Sequence, residues 1–323
     1  VGVIDTLGLT TVLSKHIQKI IPKYRSIIVD EAQDFGTTEI SIIRKLVDET
    51  ENDLFLCGDA AQQVQPKRQN FKRSGVNVST RSFTLKKNYR NSKEILEIAY
   101  DILLNNLSEE HLENSELEIS DPEFAVRSSP RPVLLKCDNL SEEIAYAIQL
   151  MRENSEAANA KGESHTGCIA ISGYSQFEIE QFGKKVNLNV LNGDRKKFEH
   201  DLFLSDLEQT KGYEFDTMVI ANCNDGILPP KGVPKQELYR FVSQFYVAMT
   251  RAKSQLIMST SGPPSAWLAN ENIKLDADQW DEFIDPDDIE LLGKPEFLPD
   301  FPGESYENVG ELRGDQYIFT EHV

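Results

Sequence analysis

Two adjacent carboxylates, Asp30 and Glu31, follow directly on the apolar run Ile27-Ile28-Val29 in the stretch "SIIVDEAQDF", residues 26–35. Three consecutive β-branched residues read as a short buried strand of the kind a parallel sheet covers on both faces. The carboxylates then stand at its carboxyl end, where open α/β sheets bind ligands. There they can hold a magnesium ion and orient or deprotonate an attacking water, the two tasks of metal-dependent nucleotide hydrolysis. Taken alone, the pair is equally compatible with a solvated loop.

A second strand-like run, "LFLC" at 54–57, leads into Gly58, Asp59 and, in the following loop, Gln62. On a neighbouring parallel strand Gln62 comes close to Asp30 and Glu31, and its amide can bond both a phosphate oxygen and a water. Next, "LKKNYRNSKEIL" at 85–96 reads as a strand end and a helix capped by Asn91 or Ser92, with Tyr89 and Arg90 on the loop between. An aromatic ring there can stack on a base and a guanidinium can grip phosphate; the ring can also simply pack. Late in the chain, "DLEQTKGYEFDTMVIANC" places a glycine-containing turn before a strand at Thr217–Ala221. "QFYVAMTRAKSQLIM" sets Arg251 and Lys253 at a helix end before a strand at 255–258, where a helix C-terminus also favours cations.

The elements that must position these residues alternate. Strand-like runs at 26–29, 54–57 and 82–85 are separated by helical periodicity at Ile43, Leu46 and Val47 and at Ile95, Ala99, Ile102 and Leu103. A polar, acidic, proline-closed segment at 105–132 suits a linker. A second alternation follows, with "PVLLKC", "GCIAIS", "NLNVLNG", "LFLSDL" and "TMVIANC" as strands. Helix faces are marked by Ile144, Ala147, Ile148 and Met151 and by Leu238, Phe241, Val242, Phe245 and Met249. The expected organisation is a first α/β domain over 1–108, a linker over 109–132, a second domain over 133–262 and an acidic, irregular extension over 263–323. That extension is read as solvated or as a docking segment for a protein partner.

At 323 residues and 39% hydrophobic, the chain can bury the cores of about two domains. It carries no apolar run of membrane-spanning length and no secretion-signal pattern, so a soluble, cytoplasmic protein without membrane contact is expected. Cys57, Cys137, Cys168 and Cys223 each adjoin an apolar run and read as buried, reduced core residues. The formal charge of −19 excludes a surface built as a whole for polyanions, so a nucleic-acid site must be local. Candidate patches are "PKRQNFKR" at 66–73, "LKKNYR" at 85–90 and "DRKKF" at 194–198; each can equally be a solvated face.

In this order and wording the motifs resemble those of the UvrD-type superfamily 1 DNA helicases. The resemblance covers roughly residues 20 to 260 and rests most on "VDEAQD" and "YVAMTRAK". It implies an α/β fold of two RecA-like domains with largely parallel sheets covered by helices, ATP between them, and movement 3′ to 5′ on single-stranded or partly duplex DNA. By the same resemblance Asp30 is the Mg2+ ligand, Glu31 the base for water, and Gln62 the link between phosphate and DNA. Tyr89 stacks on adenine, Arg90 contacts the terminal phosphate, Gly212 and Glu214 reach nucleotide and strand, with Glu214 at the ribose, and Arg251 is the second arginine finger. DNA contacts fall to Lys67, Arg68, Phe71 and Lys211.

The chain also departs from the family pattern. No stretch fits G-x-x-x-x-G-K-[ST], the loop that cradles phosphates, and only 29 residues precede Asp30. The chain is therefore expected to be the C-terminal part of a helicase with an incomplete first domain, inactive towards ATP without its missing N-terminal ATPase segment. Where the family usually has an aromatic pair after "GDAAQ", this sequence has "QVQPKRQNF"; losing that stacking, worth about 1–3 kcal/mol per base, weakens the grip or shifts it onto Phe71. Glu208 stands where the family commonly has histidine, and its charge repels a phosphate chain. The 121 residues from Arg90 to Lys211 leave no room for the helical subdomain that large members insert there. The alternative from another class is a non-catalytic, helicase-like interaction module that has lost the phosphate loop. A nuclease using the same carboxylates is a weaker third reading, because no second acidic cluster stands out.

Overall fold

In the computed structural model, which describes residues 6–62, 69–85, 87–107, 125–193, 202–234, 237–268 and 276–279, the chain divides into two units. The described residues of the first run from Thr6 to Leu85. This unit contains helix α1 (Thr6–Lys15), strand β1 (Ile27–Val29), helix α2 (Thr37–Lys45) and strand β2 (Leu54–Leu56). β1 and β2 run parallel, with Ile27 opposite Leu54 and Val29 opposite Leu56, so both carboxyl ends point the same way. Beyond the strands, the Ala32 N–H donates to Cys57 O at 2.8 Å, which carries the pairing past Asp30 and Glu31. The end of α2 is tied to the start of β2 by Arg44, whose Nη2 lies 2.6 Å from Asp53 Oδ2; the Thr50 N–H adds a bond of 3.1 Å. Burial pushes the Asp53 carboxyl up, but Arg44 and Thr50 outweigh it and hold it below the usual carboxylate range.

One expectation for these strands fails. Ile28 and Phe55, opposite each other in the register, are 77% and 61% exposed, so this face of the pair is not covered. The strand expected at 82–85 is also absent: those residues are irregular, and a strand forms later instead, at β3 (Asn88–Ser92).

The second unit begins with that strand. Lys87–Leu107 belong to it, whereas the sequence reading assigned everything up to 108 to the first domain. Asn91 supplies the physical reason. Its buried amide donates to Thr250 O at 2.7 Å and Ala252 O at 2.6 Å, and the helix that follows, α3 (Lys93–Asn106), packs within the same unit. Ser92 caps α3 as its periodicity and polar start predict, its Oγ accepting from the Ile95 N–H. β3 pairs with β4 (Ala125–Arg127).

The main sheet of this unit is built from β5 (Val133–Lys136), β6 (Gly167–Ile171), β7 (Asn189–Val190), β8 (Leu202–Ser205), β9 (Phe215–Ala221), β10 (Ala252–Thr260) and β11 (Asp276–Gln279). Its order is β11-β5-β10-β9-β6-β8-β7, and every neighbouring pair is parallel. Helices α4 (Leu140–Ala160), α5 (Gln176–Val186) and α6 (Leu238–Met249) complete the α/β order. The near-continuous apolar runs of β6 and β9 are buried along their length, as central parallel strands require. Ile169, Ile171, Val219 and Ile257 meet Ile144, Ala147, Ile148 and Met151 of α4 in one core. The chain is thus α/β with parallel sheets and helical cover, as the alternation implied. β11 lies in the acidic extension that was expected to be irregular.

α5 begins with a reciprocal cap. Ser175 accepts from the Glu178 N–H while the Glu178 carboxylate accepts from the Ser175 N–H at 2.8 Å. Ser175→Ala should lower the unfolding free energy by about 1 kcal/mol, read as a shift of the urea midpoint at unchanged slope. No loss would mean that the packing of Ile179 and Phe182 sets this helix end by itself.

Candidate nucleotide-site residues

Asp30 and Glu31 stand at the carboxyl end of β1 as expected, Asp30 exposed and Glu31 half-buried. The chain reverses there through a left-handed residue, Glu31 at φ 52°, a conformation that costs an L-residue about 1–2 kcal/mol. Local bonds hold it: the Glu31 N–H donates to Asp30 Oδ1 at 2.9 Å, and Gln33 Nε2 donates to Glu31 Oε2 at 2.5 Å. Cys57, at the end of β2, donates its thiol to Asp30 Oδ1 at 3.2 Å. Burial first, then the neighbouring Asp30 and Glu31 charges, push that thiol up. Cys57 and Cys137 are only half-buried, unlike the core cysteines Cys168 and Cys223, which corrects the expectation for those two; all four are free thiols.

Gln62 ends a 3-10 turn (Ala60–Gln62) after β2, and its Nε2 donates to Asp59 Oδ2 at 2.9 Å. Because β1 and β2 are parallel, this turn and the carboxylates emerge from the same end of the pair. Sequence reading overlooked the residue that joins them: Gln33, 1% exposed, whose Oε1 accepts the Asp59 N–H at 3.1 Å.

Five of the expected residues, Tyr89, Arg90, Gly212, Glu214 and Arg251, lie in the second unit, and two of them meet. Tyr89 and Arg90 lie on β3 rather than on a loop, both side chains exposed. Arg90 Nε is 2.6 Å from Glu214 Oε1, so the residues expected at the phosphate and at the ribose form an ion pair. Gly212, at φ 85°, makes the turn into β9 in backbone territory that suits glycine. Arg251, 3% exposed, directs its guanidinium inward, Nε to Val247 O at 3.0 Å and Nη2 to Thr250 Oγ1 at 3.3 Å. A finger role requires it to exchange these acceptors for phosphate oxygens. Lys253 pairs with Asp216 at 3.4 Å.

The described residues among the expected DNA contacts fall in both units, Phe71 in the first and Lys211 in the second. Lys67 and Arg68 lie outside the described residues, as does the "DRKKF" patch. Phe71 is 4% exposed and presents no open face for base stacking, so that assignment is withdrawn; the exposed ring of this segment is Phe83, at 86%. Lys211 is half-buried, with its N–H on Glu208 O at 3.3 Å, while Glu208 itself is exposed. The turn they share is capped by Asp206, a buried residue that the sequence reading missed, which accepts the Gln209 N–H at 2.7 Å.

The donor set fits magnesium nucleotide. Mg2+ is ordinarily bound by one or two carboxylates plus phosphate oxygens and water. Asp30 and Glu31 supply hard oxygens at a strand end, and no group of three or more His, Cys, Asp or Glu able to cage a metal occurs among the described residues. No helix among them is long and apolar enough to cross a membrane.

Comparison with known proteins agrees with the motifs in both units. Residues 3–66 match the UvrD/REP helicase N-terminal domain, and residues 172–262 match the UvrD-like helicase C-terminal domain. Both matched segments are thus UvrD-type helicase domains. Among relatives, it is 29% identical over 198 residues to a probable DNA helicase II homolog of Mycoplasma capricolum, covering 56% of this chain and 25% of that protein. It is 24% identical over 268 residues to a probable DNA helicase of Mycoplasma pneumoniae, covering 79% of this chain and 47% of that protein. The chain thus spans less than half the length of either. Among solved structures, the C-terminal domain of a possible DNA helicase from Lactobacillus plantarum WCFS1 matches with a TM-score of 0.40 at 18% identity, over 59% of this chain and 98% of that one.

Proposed function

We propose that this chain is part of an ATP-dependent DNA helicase or translocase that moves 3′ to 5′ on single-stranded or partly duplex DNA in the cytoplasm. The observation that carries the reading is the carboxylate pair at the end of β1, braced through Gln33 to the turn that carries Gln62. Asp30 holds Mg2+, and Glu31 takes the proton of the attacking water while Gln62 orients it. Bound Mg2+ neutralises charge that develops on the phosphate oxygens. Tyr89 stacks on the adenine, Glu214 binds the ribose, and Arg90 and Arg251 stabilise the terminal phosphate. Arg90 must leave Glu214 to do so, and an exchange between partners that are both exposed costs at most about 1 kcal/mol. Lys211 and the basic segment at Lys67 and Arg68 contact the DNA backbone, and residues 263–323 dock a protein partner.

The 323 residues contain no G-x-x-x-x-G-K-[ST] stretch, so this polypeptide alone is expected to hydrolyse ATP at background rate. DNA-stimulated hydrolysis by the chain and by its full-length parent, assayed side by side, tests the proposal. Activity confined to the parent is the expected result, and an inactive parent overturns the motor reading. Tyr89→Ala in the parent should raise the KM for ATP about tenfold, the worth of a lost stacking contact, with kcat little changed. An unchanged KM would mean that the ring packs against protein instead.

A further inference from the structure

We propose that Gln33 is a positioning residue, which fixes the Glu31 carboxylate to the Asp59–Gln62 segment so that displacement of one moves the other. The inference rests on the reading of Glu31 as the base for water. Gln33 is buried, and each end of its carboxamide has a partner that admits a single orientation. The Asp59 N–H can only donate, so Oε1 faces it; the Glu31 carboxylate can only accept, so Nε2 faces that. The amide therefore spans from one strand end to the next in a fixed sense.

Its surroundings permit little movement. A Cβ at Gly58 would lie 2.5 Å from Gln33 Oε1 and 3.1 Å from the Gln33 backbone nitrogen, so glycine there lets the two segments approach. On the other side, Gln69 Nε2 donates to Ala32 O at 2.7 Å and Phe35 O at 3.2 Å, which closes the turn that Gln33 occupies. From Asp59 the connection continues, since Asp59 accepts from the Ala61 N–H and from Gln62 Nε2, both at 2.9 Å. A chain of hydrogen bonds thus runs Glu31, Gln33, Asp59, Gln62, and a shift of Gln62 on binding a ligand reaches Glu31 through groups whose geometry is already set.

Gln33→Met keeps the side-chain length and removes both bonds. In the 323-residue chain, amide hydrogen exchange at Asp59 should accelerate at least tenfold, by about one unit of log rate, while the Ala32 amide, bonded to Cys57 O, keeps its protection. In the full-length protein, Gln33→Met should lower kcat of DNA-stimulated ATP hydrolysis about 10- to 100-fold with KM for ATP within about twofold. Gly58→Ala, which displaces the same amide from the opposite strand, should change kcat in the same direction. Unchanged exchange at Asp59 or wild-type kcat in Gln33→Met overturns the assignment. Joint loss of Ala32 protection and of ATP affinity also overturns it, by reducing Gln33 to a structural prop. Full activity of a Glu31→Gln parent would instead remove Glu31 as base, a failure of the motor reading that the exchange result distinguishes, because exchange reports the hydrogen bonds alone.

Discussion

Glu31→Gln in the full-length protein should lower the kcat of DNA-stimulated ATP hydrolysis about 10²- to 10⁴-fold, the usual contribution of a general base, while nucleotide still binds. The amide conserves the shape of the carboxylate, and its oxygen can still accept from Gln33 Nε2, so the left-handed turn at residue 31 has no reason to unfold. Asp30, the residue assigned to Mg2+, is untouched. Steady-state hydrolysis and fluorescent-nucleotide binding, measured on one preparation, separate the two effects. Wild-type turnover would remove Glu31 from the chemistry, and lost nucleotide binding would move it from proton transfer to metal binding.

The second large effect concerns stability in the other unit. Asp206, at the end of β8, has its carboxyl pushed up to about 6, first by burial and also by the charge of Glu208, although the Gln209 and Glu208 N–H groups act against this. Because the folded value lies above the ordinary value of 3.8, the contribution to stability is full below about pH 3.8 and is lost as pH rises through about 6. At pH 7.5 the ionised carboxylate therefore costs about 3 kcal/mol relative to its protonated form. Asp206→Asn keeps an acceptor for the Gln209 N–H and carries no charge at any pH. Its unfolding free energy should exceed that of the wild type by up to about 3 kcal/mol at pH 7.5 and converge with it near pH 4. Urea unfolding at the two pH values measures this directly. A difference independent of pH would place the effect in packing and not in ionisation.

The frame of the candidate site was legible where local pattern suffices. Ile27-Ile28-Val29 and Leu54-Phe55-Leu56 form strands because apolar runs of that length pair readily, and the spacing of Ile95, Ala99, Ile102 and Leu103 gives α3 its buried face. Local pattern also misled. "SFTL" alternates like a strand, yet Phe83 and Leu85 are exposed and unstranded, because no strand among the described residues pairs with them. The polar run Asn88–Ser92 becomes the strand instead, secured by Asn91 bonds to partners 159 and 161 residues away, a separation that no window of sequence can weigh. Gln33 escaped notice for a related reason. Its importance lies in the Asp59 amide 26 residues on, and a backbone donor has no signature in residue type. Phe71 was assigned by its aromatic ring alone, and ring identity says nothing about which way the ring faces.

The tether through Asn91 also dictates where the polypeptide can be dissected. A recombinant fragment that started at 109 would strip Thr250 O and Ala252 O of their donor and bare the surface on which α3 packs. Aggregation of such a fragment would then reflect the position of the cut rather than weak folding of the sheet. A boundary placed ahead of Lys87 leaves Tyr89, Arg90, Glu214 and Arg251 on a single expressed piece, with the Arg90–Glu214 pair intact for spectroscopy or crystallisation.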